Sequence, residues 1–290
     1  MLLATFGFLA DRWSKAAAQF VRDHVEADPI ASHVLIVDHP SSAAFLATNG
    51  ELSIGGRDEG QMLLDVARQL RSGQAEALGL AVRSYHLLGV SLGGLGVLNA
   101  IDEDRRSSDR VFASAVTFSG VTRLDDASPE ALVRNGSFIA RAGGRDGFSL
   151  AAFVNHRIFK DLVRHFRTIY SELAGKDLAW SDADTARRLH ELFDKRAMRL
   201  GEPGGLRAYM AATNLCSLGG ESEIPIALIH AKDDPLVPVS HVRCVEDKAT
   251  NNPNVAVYVT NNGGHWGFAR TYGRDWVATV INRALTNARP

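Results

Sequence analysis

Cysteine is scarce: Cys216 and Cys244 are the only two in a chain of 290 residues. Two are too few for a disulfide framework, so the expectation is a pair of buried, unpaired thiols in a reducing compartment. Long apolar runs are lacking too, and none approaches the roughly 20 residues a membrane helix needs. The opening MLLATFGFLADRWSK has no basic n-region and meets Asp11 and Arg12 too early for a secretory signal. A cytoplasmic protein with no integral membrane segment is expected. Charge of one sign is absent: 32 Lys and Arg oppose 33 Asp and Glu, a formal net charge of −1. That interspersed balance gives no reason to expect a nucleic-acid partner or an anionic surface. No C-x-x-C, H-E-x-x-H or Asp-rich calcium loop occurs, so neither metal nor cofactor is expected. Nothing in the sequence sets an oligomeric state.

What is present is alternation. Short apolar, β-branched runs (residues 2–6, 33–38, 84–89, 111–118, 224–231 and 255–260) are separated by segments of helical period. In RWSKAAAQFVRDHVE the residues Trp13, Ala17, Phe20, Val21 and His24 share one helical face. In GRDEGQMLLDVARQLRSG the expected apolar stripe is Met62, Leu63, Val66, Ala67 and Leu70, with Asp58 near the start. Continuous apolar strands alternating with helices predict an α/β fold, a mostly parallel sheet with helices on both faces. Residues 123–222 lack strand candidates and read as a helical cap inserted into a core of residues 1–122 and 223–290.

Three segments carry chemistry. The first, GVSLGG (89–94), sits between a strand and a helix, the context that the G-x-S-x-G nucleophile turn demands. Small neighbours let backbone and helix approach around Ser91. The helix N-terminus offers unpaired N–H groups, with Leu92 the natural first oxyanion donor. The alternative is a glycine-rich turn holding an incidental serine. The second, IHAKDDPLVP (229–238), runs from a strand into acids at the sheet edge. Asp234 is the candidate to orient a base, Asp233 its close competitor, and both acids could instead be turn residues or helix caps. The third, VTNNGGHWGF (259–268), places His265 on a loop after the last strand.

Other histidines have plainer readings. His24 and His190 fall on helices, His86 and His230 within strands, and His156 and His165 in the cap. His241 reads as a cap or decoration of a surface helix. The chain order Ser91, Asp234, His265 is the order expected of an α/β-hydrolase triad.

On those segments the chain resembles the α/β-hydrolases, and more narrowly the YheT-like esterase and lipase family. IPIALIHAKDDPLVP with NNGGHWGF is the more discriminating part, and LHELFDKRAMRLGEPGGLRAYMAATNLCSL resembles the same group. The resemblance covers most of residues 80–270. It implies hydrolysis of carboxylic esters by Ser91, Asp234 and His265. The family usually has further strands before an oxyanion loop that carries His-Gly. Here Phe6-Gly7 stands in that place, so a truncated or mis-started chain, or a shortened sheet, is expected, with the Phe8 N–H as second oxyanion donor.

The expected substrate is a small-molecule ester with an apolar acyl group, because the cap is rich in aromatics: Phe138, Phe148, Phe153, Phe159, Phe166, Tyr170, Trp180 and Phe193. Packing of the cap on the core would explain the same residues. Two other functions use the same sequence: an acyltransferase on the same triad, and a catalytically silent binding module.

Overall fold

In the computed structural model the described residues are 1–7, 18, 33–40, 55–124, 191, 194–234, 237–265 and 267–286. Six strands form one sheet in the order β2-β1-β3-β4-β5-β6: β1 Leu2–Phe6, β2 Val34–Val37, β3 Tyr85–Val90, β4 Phe112–Phe118, β5 Ile226–Ala231 and β6 Val255–Thr260. Every neighbouring pair is parallel, from Leu2 opposite Val34 to Ala231 opposite Thr260. All six strands therefore end at one edge of the sheet. Helices α1 Arg57–Gln69 and α2 Leu92–Arg106 come before the expected cap. Further along the chain are α3 Gly205–Ala212, α4 Leu218–Glu221, α5 Ser240–Lys248, α6 Phe268–Tyr272 and α7 Arg274–Thr286.

The two-residue period of the strands divides the core between the sheet's faces. Leu3, Leu87, Ala115 and Leu228 point to the face covered by α1 and α2, meeting Leu63, Leu64, Leu95, Leu98 and Ile101. Leu2, Ala4, Leu88, Val116 and Ile229 point the other way, onto Val277, Ile281 and Leu285 of α7. Burial on both faces is why these strands read as continuous apolar runs. The edge strand β2 is only half-buried along its length.

The α1 stripe is turned from its expected position. Glu59, Gly60, Leu63, Leu64 and Ala67 are buried, and Leu70 just beyond the helix is buried too, while Met62 and Val66 are half-buried. The cause is close packing on α2. A Cβ at Gly60 would lie 2.6 Å from Asn99 Cβ, so this backbone meets α2 directly and Glu59 turns inward with it.

The helix expected from RWSKAAAQFVRDHVE lies outside the described residues, apart from residue 18. So does most of the expected cap, including all eight of its aromatics. The cap's last described part is helical, with Leu206 and Tyr209 of α3 fully buried.

The cysteine expectation is overturned. Cys216, in the turn before α4, and Cys244, on α5, form a disulfide, their Cα atoms 5.2 Å apart. The two lie 28 residues apart and meet only because α4 packs on α5, a contact no local pattern carries. The free-thiol argument for a reducing compartment goes with it. Closing a loop of that length restricts the unfolded chain by about 3–4 kcal/mol. Reduction by dithiothreitol should lower the unfolding free energy by about that amount, seen as a lower urea midpoint, without changing the C216S/C244S double variant, as equilibrium unfolding would show.

His241 is not on the surface. It is fully buried, and its Nδ1 accepts the Thr122 N–H at 3.3 Å. His86 sits between the hydroxyls of Ser84 (2.9 Å) and Ser114 (2.8 Å). Burial, with the N-terminal ammonium second, lowers its pKa to about 4 from an ordinary 6.5. Between those values the unfolded chain binds a proton that the native chain does not, so stability is full above 6.5 and falls as pH drops toward 4. Urea midpoints taken from pH 7 to 4.5 should decline, and His86→Gln should flatten part of that slope.

Candidate active site

Ser91 follows β3 directly and precedes α2, with φ 58° and ψ −124°. A residue with a Cβ rarely adopts that backbone, and such strain typically costs about 1–3 kcal/mol. The surroundings hold it. Ser91 N–H donates to Phe118 O at 3.0 Å, and its carbonyl accepts from Gly94 N–H at 2.9 Å and Val121 N–H at 3.3 Å. The turn is possible because the neighbours are glycine. A Cβ at Gly89 would lie 2.5 Å from Gly93 O, and one at Gly93 would lie 2.5 Å from Thr5 O.

The end of β1 reaches the same place. Gly7 N–H donates to Val90 O at 3.2 Å, and a Cβ on Gly7 would lie 2.9 Å from the Leu92 nitrogen. The chain leaving β1 thus passes against the first N–H of α2. Phe8, the expected second donor, lies outside the described residues.

Asp234 and His265 meet. His265 Nδ1 lies 2.9 Å from Asp234 Oδ2 and 3.0 Å from Oδ1, which a carboxylate accepting an Nδ1–H explains. The Asp234 side chain is fully buried, and its Oδ1 also accepts the Val237 N–H at 3.0 Å. Burial pushes its carboxyl up, but His265, by charge and hydrogen bond, together with the Val237 N–H, holds it below the usual carboxylate range. Asp233 serves the backbone instead, its Oδ1 accepting the Gly264 N–H at 2.7 Å. Consecutive acids therefore pin consecutive residues, and Asp234 is the one that reaches the imidazole.

The histidine loop is tied toward the serine. Phe268, three residues after His265, packs its ring edge-on against Phe118 at 5.6 Å, and the Phe118 carbonyl is the acceptor for Ser91 N–H. The loop thus spans β5 to reach β4, the strand beside β3.

A strand–turn–helix serine, with a strand-end acid and then a histidine loop later in the chain, is a layout known from hydrolase folds. A family model described as alpha/beta hydrolase fold matches residues 63–270. The chain belongs to the alpha/beta hydrolase fold family. No curated protein matches it. Solved structures share the fold at low identity. The esterase Pf2001 of Pyrococcus furiosus is 15% identical with a TM-score of 0.55, the match covering 100% of this chain and 82% of that one. A serine hydrolase from the polyaromatic-hydrocarbon-degrading bacterium Cycloclasticus zankles is 15% identical with a TM-score of 0.54, covering 98% and 90%. A lipase-esterase related protein from Clostridium acetobutylicum is 16% identical with a TM-score of 0.50, covering 97% and 93%.

Two residues that no sequence motif marks lie close to these segments in this hydrolase fold. Glu59 is fully buried, its Oε1 2.9 Å from His39 Nε2 at the end of β2 and 3.5 Å from the Thr5 hydroxyl. A Cβ at Gly96 would lie 2.3 Å from the Glu59 carboxyl carbon, so the acid occupies the space a side chain on α2 would need. The signal was a carboxylate in phase with Leu63 and Ala67, on the apolar side of its helix. His230, read as a strand residue, is the second such case. No group of three or more His, Cys, Asp or Glu among the described residues is arranged to hold a metal ion. No helix among the described residues is long and apolar enough to cross a membrane.

Proposed function

We propose that the protein is a serine hydrolase that cleaves carboxylic esters through an acyl-enzyme. The observation that carries this reading is the buried Asp234–His265 pair, at the same sheet edge as a serine held in a strained turn. In the proposed cycle His265 Nε2 takes the Ser91 proton as Oγ attacks the ester carbonyl. His265 Nδ1–H faces Asp234, which keeps Nε2 free as the base and balances the imidazolium as it forms. The tetrahedral oxyanion is met by the Leu92 N–H and, on this reading, by the Phe8 N–H. His265 then protonates the departing alcohol. Water, deprotonated by the same imidazole, attacks the acyl-enzyme and frees Ser91.

The YheT-like esterases and lipases are the narrower group this reading favours. A small ester with an apolar acyl chain is the proposed substrate, and residues 123–222 are the proposed lid. No cofactor enters the proposed cycle. A fluorophosphonate probe tests the reading: it should attach to Ser91, and p-nitrophenyl esters should turn over at rates that depend on acyl length. Well-folded protein that neither labels nor turns over any ester would overturn it.

A further inference from the structure

His230 is the penultimate residue of β5 and is fully buried. Its Nε2 lies 2.9 Å from Val237 O. A carbonyl can only accept, so Nε2 carries the proton. The other ring nitrogen, Nδ1, is buried with no hydrogen-bond partner among the described residues. A second proton would place an N–H there unpaired, so the ring is the neutral Nε2–H form. Burial lowers its pKa, against the opposing pull of Asp234, in agreement with that state.

Both polar groups of Val237 are thereby committed. Its carbonyl is held by His230, and its N–H donates to Asp234 Oδ1 at 3.0 Å. Asp234 N–H in turn donates to Ala231 O at 3.2 Å, next to His230. The result is a closed circuit: strand end, acid, Val237, and back to the strand through an imidazole. His230 Nε2 also stands 3.9 Å from Asp234 Oδ2, the oxygen nearest His265.

We infer that His230 is a positioning residue: its Nε2–H anchors the Val237 carbonyl and so fixes the turn that presents the Asp234 carboxylate to His265. This rests on the serine-hydrolase reading for its catalytic consequence, but not for its geometry. The charged and titratable groups facing His230 are Asp234 and His265. Asp233 is directed to Gly264 N–H and Lys232 to Asn261, so neither replaces the anchor.

The test compares His230→Leu, which lacks the donor, with His230→Gln, whose amide N–H can reach the Val237 carbonyl. The first readout is the downfield proton resonance of His265 Nδ1–H, which needs no catalysis. The second is the pH dependence of fluorophosphonate labelling. Wild type and His230→Gln should keep the resonance. His230→Leu should lose it and label on the order of 10–100-fold more slowly, with the midpoint of the pH profile moved down because the His265 imidazolium is less well balanced. An unchanged resonance and midpoint in folded His230→Leu, even with slower labelling, would mean packing alone and would overturn the inference. Wild type that shows the resonance but does not label would sink the ester chemistry and leave the anchor standing. Should His230→Leu not fold, His230→Asn, one methylene short of the carbonyl, takes its place: a lost resonance with a lowered midpoint supports the anchor, and no change in either overturns it.

Discussion

Ser91→Ala should lose on the order of 10⁶-fold in ester turnover and all fluorophosphonate labelling. On the proposed mechanism the size follows from Ser91 being the irreplaceable nucleophile, with the Leu92 N–H and substrate contacts leaving only a residue of transition-state stabilisation. The fold should not notice. Alanine keeps the Cβ, so the φ 58° strain is unchanged, and the anchors of residue 91 are backbone bonds to Phe118, Gly94 and Val121. Ser91→Gly makes the argument sharper. It should be equally inactive yet more stable by about 1 kcal/mol, because glycine adopts this backbone without penalty. Parallel urea titrations and labelling gels on the two variants decide it. A Ser91→Ala protein that still labels would move the nucleophile elsewhere.

The architecture was legible because it rests on local pattern. Each of the six strands is an apolar run flanked by helical period, and the runs around Leu2, Val34, Tyr85, Phe112, Ile226 and Val255 all became strands. A parallel sheet buried on both faces writes itself into sequence in this way. Ser91 was legible for the same reason, since strand, turn and helix are contiguous. What stayed hidden depends on elements distant in the chain. The 216–244 disulfide needs α4 against α5. The inward turn of Glu59 needs His39 from β2 and the space left by Gly96 on α2. Asp233 and Asp234 have similar claims in sequence because they are adjacent acids in one turn. Only the return of the histidine loop separates them, Gly264 N–H taking one and His265 the other. A histidine inside an apolar strand reads as core, and what His230 does depends on where the chain is seven residues later, at Val237.

That division of labour between adjacent acids carries the second large expectation. Asp234→Asn should lower kcat by about 10⁴-fold, and Asp233→Asn by less than about tenfold. Asn at 234 is nearly isosteric and its carbonyl can still accept the Val237 N–H. Its NH₂ would then face His265 Nδ1 as a donor, leaving that nitrogen unprotonated and placing the imidazole proton on Nε2, which in the proposed cycle has to receive the Ser91 proton. The negative charge that balances the imidazolium is lost with it. Wild-type Asp234 is held ionised, since its pKa lies below the ordinary carboxylate value near 4, so the penalty should be present at every pH above that. Among the described residues Asp233 answers only to a backbone N–H, which the carbonyl of Asn accepts as well, so the Gly264 turn keeps its anchor. Steady-state rates on a short p-nitrophenyl ester, with circular dichroism to confirm folding, measure both variants. Equal losses at 233 and 234 would mean that the two acids act as one anionic patch, and the imidazole would have to be oriented by something other than the Asp234 hydrogen bond.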